Sequence, residues 1–128
     1  MRSVCSVLAL ICFILPAIAQ PVIKFDNTTQ RLGFVHKGDT LHFAFIFKNT
    51  GNKPLVISDA KVECGCTVVE KPEYQTDPGK QGEIKVIFNT TPTIDRQDRT
   101  VTVISNATNS PTVLRFKCVV LKAKNKKE

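Results

Sequence analysis

From Thr40 to Lys48 the chain alternates in side-chain character without a break. Leu41, Phe43, Phe45 and Phe47 share one parity, and Thr40, His42, Ala44, Ile46 and Lys48 the other. Period two is the repeat of an extended strand, whose successive side chains point to opposite faces. Burying each phenylalanine or leucine contributes about 1.5–3 kcal/mol, so this face needs a core to lie against. A single strand cannot make one.

The rest of the chain supplies more strands of the same kind. Val22 to Phe25 reads as a short first strand, Leu32 to Val35 as a second, and Leu55 to Ile57 opens one after the Asn49-Thr50-Gly51-Asn52 turn. Its parity slips at Ser58-Asp59, as a bulge would cause. Beyond the slip, Ala60, Val62, Cys64, Cys66 and Val68 fall on one face. Glu83 to Asn89, Thr100 to Ser105 and Thr112 to Leu121 follow, with Ile84, Val86, Phe88, Val101, Val103, Leu114, Phe116, Cys118 and Val120 expected inward. Pro92 to Asp98 reads as a polar turn, with Asp95-Arg96-Gln97-Asp98-Arg99 as a self-paired hairpin tip. The prolines after Pro16 fall between strands or at their ends. The expected class is all-β, an immunoglobulin-like antiparallel β-sandwich of seven to eight strands. The antibody signature is missing, because the chain contains no tryptophan.

Residues 1–19 have the plan of a cleaved secretory signal: Met1-Arg2, an apolar run from Val4 to Leu15, and small residues up to Ala19. The run is too short to span a bilayer. Residues 20–121 are then the sandwich, exported to the periplasm or beyond, and residues 122–128 a basic tail. Much of the net charge of +7 sits there, on Lys122, Lys124, Lys126 and Lys127. The tail reads as a solvated end, with peripheral contact to anionic surfaces as the alternative. Nucleic acid is not an expected partner, since no recognition motif occurs. Asn27, Asn89 and Asn106 carry Asn-x-Thr sequons that mark turns and matter only in a glycosylating pathway.

Catalytic motifs fail in turn. There is no nucleophile elbow, phosphate loop, dinucleotide turn or paired-histidine metal helix. His36 and His42 read as surface or hydrogen-bonded residues. Glu63, Glu70, Glu73 and Asp77 lack the pairing that acid–base work needs. The expectation is a chain that is not an enzyme and carries no cofactor.

Chemistry that remains belongs to Cys64-Gly65-Cys66-Thr67 and to Cys118. In a fully extended strand the two cysteines' α-carbons stand about 6.6 Å apart. A disulfide prefers about 5.5–6 Å, so bridging needs a backbone curl, which Gly65 permits through positive φ. Such a small ring suits a redox role. Packed thiols, or a disulfide from Cys64 or Cys66 to Cys118, give a structural one; that long bridge contributes roughly 4 kcal/mol. Two thiolates one residue apart also suit a soft ion such as Cu(I). All three readings stand, and the apolar parity of the pair favours a structural turn at the sandwich's end.

Phe45-Ile46-Phe47-Lys48-Asn49-Thr50-Gly51, Pro54-Leu55-Val56-Ile57 and Cys64-Gly65-Cys66-Thr67 occur in that order. With Pro78-Gly79, Ile84 to Asn89 and the Thr102 to Asn106 run, the chain resembles domain-of-unknown-function family 1573, an exported bacterial family. The resemblance implies an immunoglobulin-like sandwich akin to major-sperm-protein and ciliary domains, with no established activity. Cys118 departs from the glycine usual in that family. The expected function is an exported, non-enzymatic interaction module of the bacterial envelope, whose partner is another envelope protein or a surface component. The alternative is a periplasmic thiol-redox or copper-handling protein using Cys64 and Cys66. The sequence leaves the oligomeric state open.

Overall fold

A computed structural model describes residues 11, 12 and 19–123. The expected signal segment, apart from residues 11, 12 and 19, lies outside the described residues, as do Lys124, Lys126 and Lys127 of the tail.

Eight strands form in chain order: β1 (Ile23–Phe25), β2 (Thr29–His36), β3 (Thr40–Asn49), β4 (Ile57–Val62), β5 (Thr67–Glu70), β6 (Gln81–Asn89), β7 (Asp95–Ser105) and β8 (Thr112–Leu121). They make two four-stranded sheets, β1-β3-β6-β5 and β2-β8-β7-β4. The pairs are antiparallel except β2 with β8, which run parallel.

The expected core is in place. Phe45, Phe47, Ile84, Val86, Phe88, Val101, Leu114 and Phe116 are fully buried, with Leu41 and Phe43 packed against them. Phe116 joins the sheets, its ring centroid 5.1 Å from both Phe88 and Phe43. Edge-to-face pairs of this kind favour one packing over others. Phe47 lies over Gly82, its cross-strand partner, where a side chain on Gly82 would collide with the ring.

Asn49, the last residue of β3, is buried on the phenylalanine face and fully satisfied. Its Nδ2 donates to the carbonyls of Lys53 (2.7 Å) and Thr76 (2.9 Å), and its Oδ1 accepts from the Gly51 N–H at 3.0 Å. The Gln20–Val22 backbone passes so close to Gly51 that a β-carbon there would meet the Gln20 carbonyl and stand 2.6 Å from the Val22 nitrogen. The Asn-Thr-Gly stretch therefore fastens the chain's entry to the sandwich.

Three expectations are corrected. Asp95 to Arg99 is not a hairpin tip but the first half of β7, paired with β8 from Val120 to Phe116. Its polar side chains hid the strand: Gln97 points inward, and Asp98 lies 2.7 Å from Arg115 across the outer face. The apolar parity assigned from Ala60 through Val68 does not hold. Thr67 is buried and Val69 packs on the core, while Val68 is 53% exposed. Lastly, β2 runs from Thr29 to His36, longer than the Leu32 to Val35 expected, because it pairs with β8 at both ends, from Thr29 against Arg115 to His36 against Leu121. The slip at Ser58 is present as a register shift between Ile57 and Asp59.

Candidate functional site

The parity fails because the chain changes sheet at the cysteines. β4 is an edge of one sheet and β5 an edge of the other, and Glu63 to Cys66 make the crossing. Glu63 still holds β4's register, accepting a hydrogen bond from the Thr100 hydroxyl on β7. The chain then curls, and the Thr67 N–H donates to the Cys64 carbonyl at 3.1 Å. The Cys66 carbonyl in turn accepts from the Asn89 N–H at 2.9 Å, docking the curl onto the end of β6.

The curl brings the α-carbons of Cys64 and Cys66 to 5.2 Å, and their sulfurs are joined in a disulfide. Gly65 does not reach this through positive φ, contrary to the sequence argument. Nothing lies within 4 Å of where its β-carbon would stand, so the glycine faces open space. The Cys66 N–H lies 3.1 Å from Cys64 Sγ, and the Thr67 hydroxyl lies 3.9 Å from Cys66 Sγ. Cys66 is buried and Cys64 half-buried, so Cys64 is the more exposed residue of the pair.

Cys118 is not part of this bond. It is a free thiol on the inward face of β8, buried opposite Gln97. Burial pushes its pKa up, and the Arg99 guanidinium opposes that rise. The sequence pattern puts Arg99 in a self-paired hairpin tip. It instead donates from Nε and Nη2 to Gln97 Oε1, at 3.2 and 2.8 Å, while Gln97 Nε2 donates to the Ile94 carbonyl at 2.8 Å. Inward parity with Val101, visible once the strand is extended to Asp95, is the signal that would have found it.

Among the described residues, no three or more histidine, cysteine or acidic side chains gather where they could hold a metal ion. His36 and His42 lie on β2 and β3. Two sulfurs bonded to each other present no thiolate to a soft cation. As it stands, the crossover offers one chemistry: thiol–disulfide exchange at Cys64.

The family model for the protein-of-unknown-function family DUF1573 matches residues 23–120, from the start of β1 to the penultimate residue of β8, and so takes in the crossover and Cys118. The chain belongs to DUF1573. No curated protein matches it in a sequence search. Among solved structures, this DUF1573 chain is similar to a protein of unknown function from Porphyromonas gingivalis W83. The two share 17% identity over 83% of this chain and 51% of that one, with a TM-score of 0.69. It therefore spans about half the length of that protein. The ASH/PapD-like domain 7 of human CEP192 matches over 97% of this chain and 99% of its own, at 8% identity and a TM-score of 0.63. WR4, a major-sperm-protein family member from C. elegans, matches over 78% and 98%, at 8% identity and a TM-score of 0.50. At such identities the likeness concerns the fold, which is that of immunoglobulin-like, PapD-like and major-sperm-protein-like sandwiches.

Proposed function

We propose that this DUF1573 chain is an exported, non-enzymatic binding module of the bacterial envelope, engaging another envelope protein or a surface component. One observation carries the reading: the sandwich buries a complete core and still leaves large apolar side chains standing on its surface. Phe34 is 75% exposed and Tyr74 82%. Side chains of this size left in water are the usual anchors of interfaces. The PapD-like and major-sperm-protein-like architecture supports the same reading as a scaffold for docking. To test it, the immobilised protein is exposed to envelope extract. Saturable retention of one component, reduced by replacing Phe34 and Tyr74 with serine, is expected; equal retention by wild type and variant, or none, contradicts the reading.

The Cys64–Cys66 bond favours a second reading, as a substrate of a dithiol partner. The partner's thiolate attacks Cys64 Sγ, the Cys64–Cys66 bond breaks, and Cys66 leaves as a thiolate that takes up a proton. The partner's second thiol then displaces Cys64, so the partner ends as a disulfide and this pair as two thiols. Mass-spectrometric counting of free thiols after incubation with a dithiol buffer series tests it. Two thiols titrating together support exchange, and a pair that stays oxidised across the series contradicts it.

A further inference from the structure

A site separate from the cysteine crossover stands on the outer face of the β2-β8-β7 corner. Three residues of β2 are set against two of β8 there: Arg31 pairs with Lys117 and Phe34 with Val119. In a regular strand, residues three apart face opposite ways. The extra residue, with Gly33 at a φ of +74°, turns Phe34 onto the same outer face as Arg31, while Leu32 and Val35 stay inward. Bulges are a recurrent means of re-aiming a side chain.

The registers on either side of β8 define the layout. One row reads Phe34, Val119, Arg96 and the next Arg31, Lys117, Asp98. These residues line a groove of about 410 Å³. Its polar lining holds three cations against one carboxylate, and that carboxylate is engaged: Asp98 lies 2.7 Å from Arg115 and 3.9 Å from Lys117. Among the described residues neither Arg31 nor Arg96 has an ion-pair partner. Two free guanidinium forks thus flank an apolar platform made by the Phe34 ring and Val119.

We infer that this groove binds an anionic oligosaccharide, one whose sugars carry carboxylate or sulfate. The inference rests on the binding-module reading and names its ligand class. Guanidinium forks match such anions bidentately. The C–H face of a pyranose packs on an exposed ring through dispersion. Strand spacing puts the Arg31 and Arg96 α-carbons roughly 12 Å apart, a span for an oligomer rather than a single sugar. An acidic peptide fits less well, because peptides add to sheets along an unbroken edge and the bulge interrupts the edge of β2. A nucleic-acid strand needs a succession of stacking rings, and this groove has one.

Calorimetric titration of the chain tests the assignment, with an oligouronate, a sulfated oligosaccharide, a neutral oligosaccharide of equal length, an acidic peptide and a single-stranded oligonucleotide. Saturable binding of at least one anionic saccharide, at least tenfold tighter than the neutral one, is expected. The Arg31→Gln/Arg96→Gln double variant should weaken it tenfold or more and Phe34→Ala about threefold or more, with unchanged melting temperatures. No saturable binding by either anionic saccharide overturns the assignment, as does binding indifferent to these substitutions or tighter binding of the peptide or oligonucleotide. If the saccharides fail while envelope capture still returns a component, only the ligand class is wrong; if both fail, the module reading falls too.

Discussion

The two faces of β8 are built from alternating residues of one ten-residue strand, yet they have opposite characters. Inward stand Leu114, Phe116, Cys118 and Val120, all buried; outward stand Val113, Arg115, Lys117 and Val119, in contact with water. The inner face is fixed by neighbours on both sheets and has little freedom to vary. The outer face is bounded only by β2 and β7, and its ion pairs are solvent-exposed, so they contribute little to folding. With the proposed groove on the outer face, stability and recognition would divide across a single strand, and substitutions should divide the same way.

The largest effect belongs to the inner face. Phe116→Ala should destabilise by about 3–5 kcal/mol, read from urea denaturation, since it empties the space between Phe43 and Phe88. A loss under about 1 kcal/mol would mean that the core closes without that ring. Gly51→Ala should cost about 1–3 kcal/mol in the same assay, because the new β-carbon meets backbone at Gln20 and Val22 rather than a movable side chain. Replacing both Cys64 and Cys66 with serine should cost about 1–2 kcal/mol, the chain-entropy value for so small a ring. On the outer face, Asp98→Asn should change stability by less than about 1 kcal/mol. It should also tighten anionic-saccharide binding by removing the groove's carboxylate.

Much of this division could be read in the sequence where apolar residues alternate. β3, β6 and β8 announce themselves in that way, and their inward residues are those expected. The first half of β7 could not be read so, because Gln97 and Arg99 face inward while satisfying their polar groups on each other and on Ile94. At the crossover, Cys64 and Cys66 continue the parity of Ala60 and Val62, so local pattern gave no sign of a change of sheet. That change is set by non-local partners, Thr100 on β7 and Asn89 on β6. The groove was hidden for a similar reason. Arg31, Phe34 and Arg96 become neighbours only through the parallel β2–β8 pairing and the bulge within it.

A smaller effect sharpens the contrast from the inner side. Cys118 has its pKa raised in the folded state by burial. An unfolded thiol ionises from about pH 8.5, while the buried one keeps its proton, so the unfolded state gains the advantage as pH rises. Any stability from this difference is present below that pH and lost as pH climbs toward the raised value. Cys118→Ala should flatten this alkaline decline. A decline of equal slope in wild type and variant would place its origin elsewhere.

The most direct measurement pairs binding with folding on one protein, the Arg31→Gln/Phe34→Ala/Arg96→Gln triple variant. The expected result is wild-type melting behaviour together with loss of anionic-saccharide binding by at least tenfold. Retained binding would show that the outer face is not the recognition surface. A collapsed melting transition would show that the two faces of the sheet are not independent.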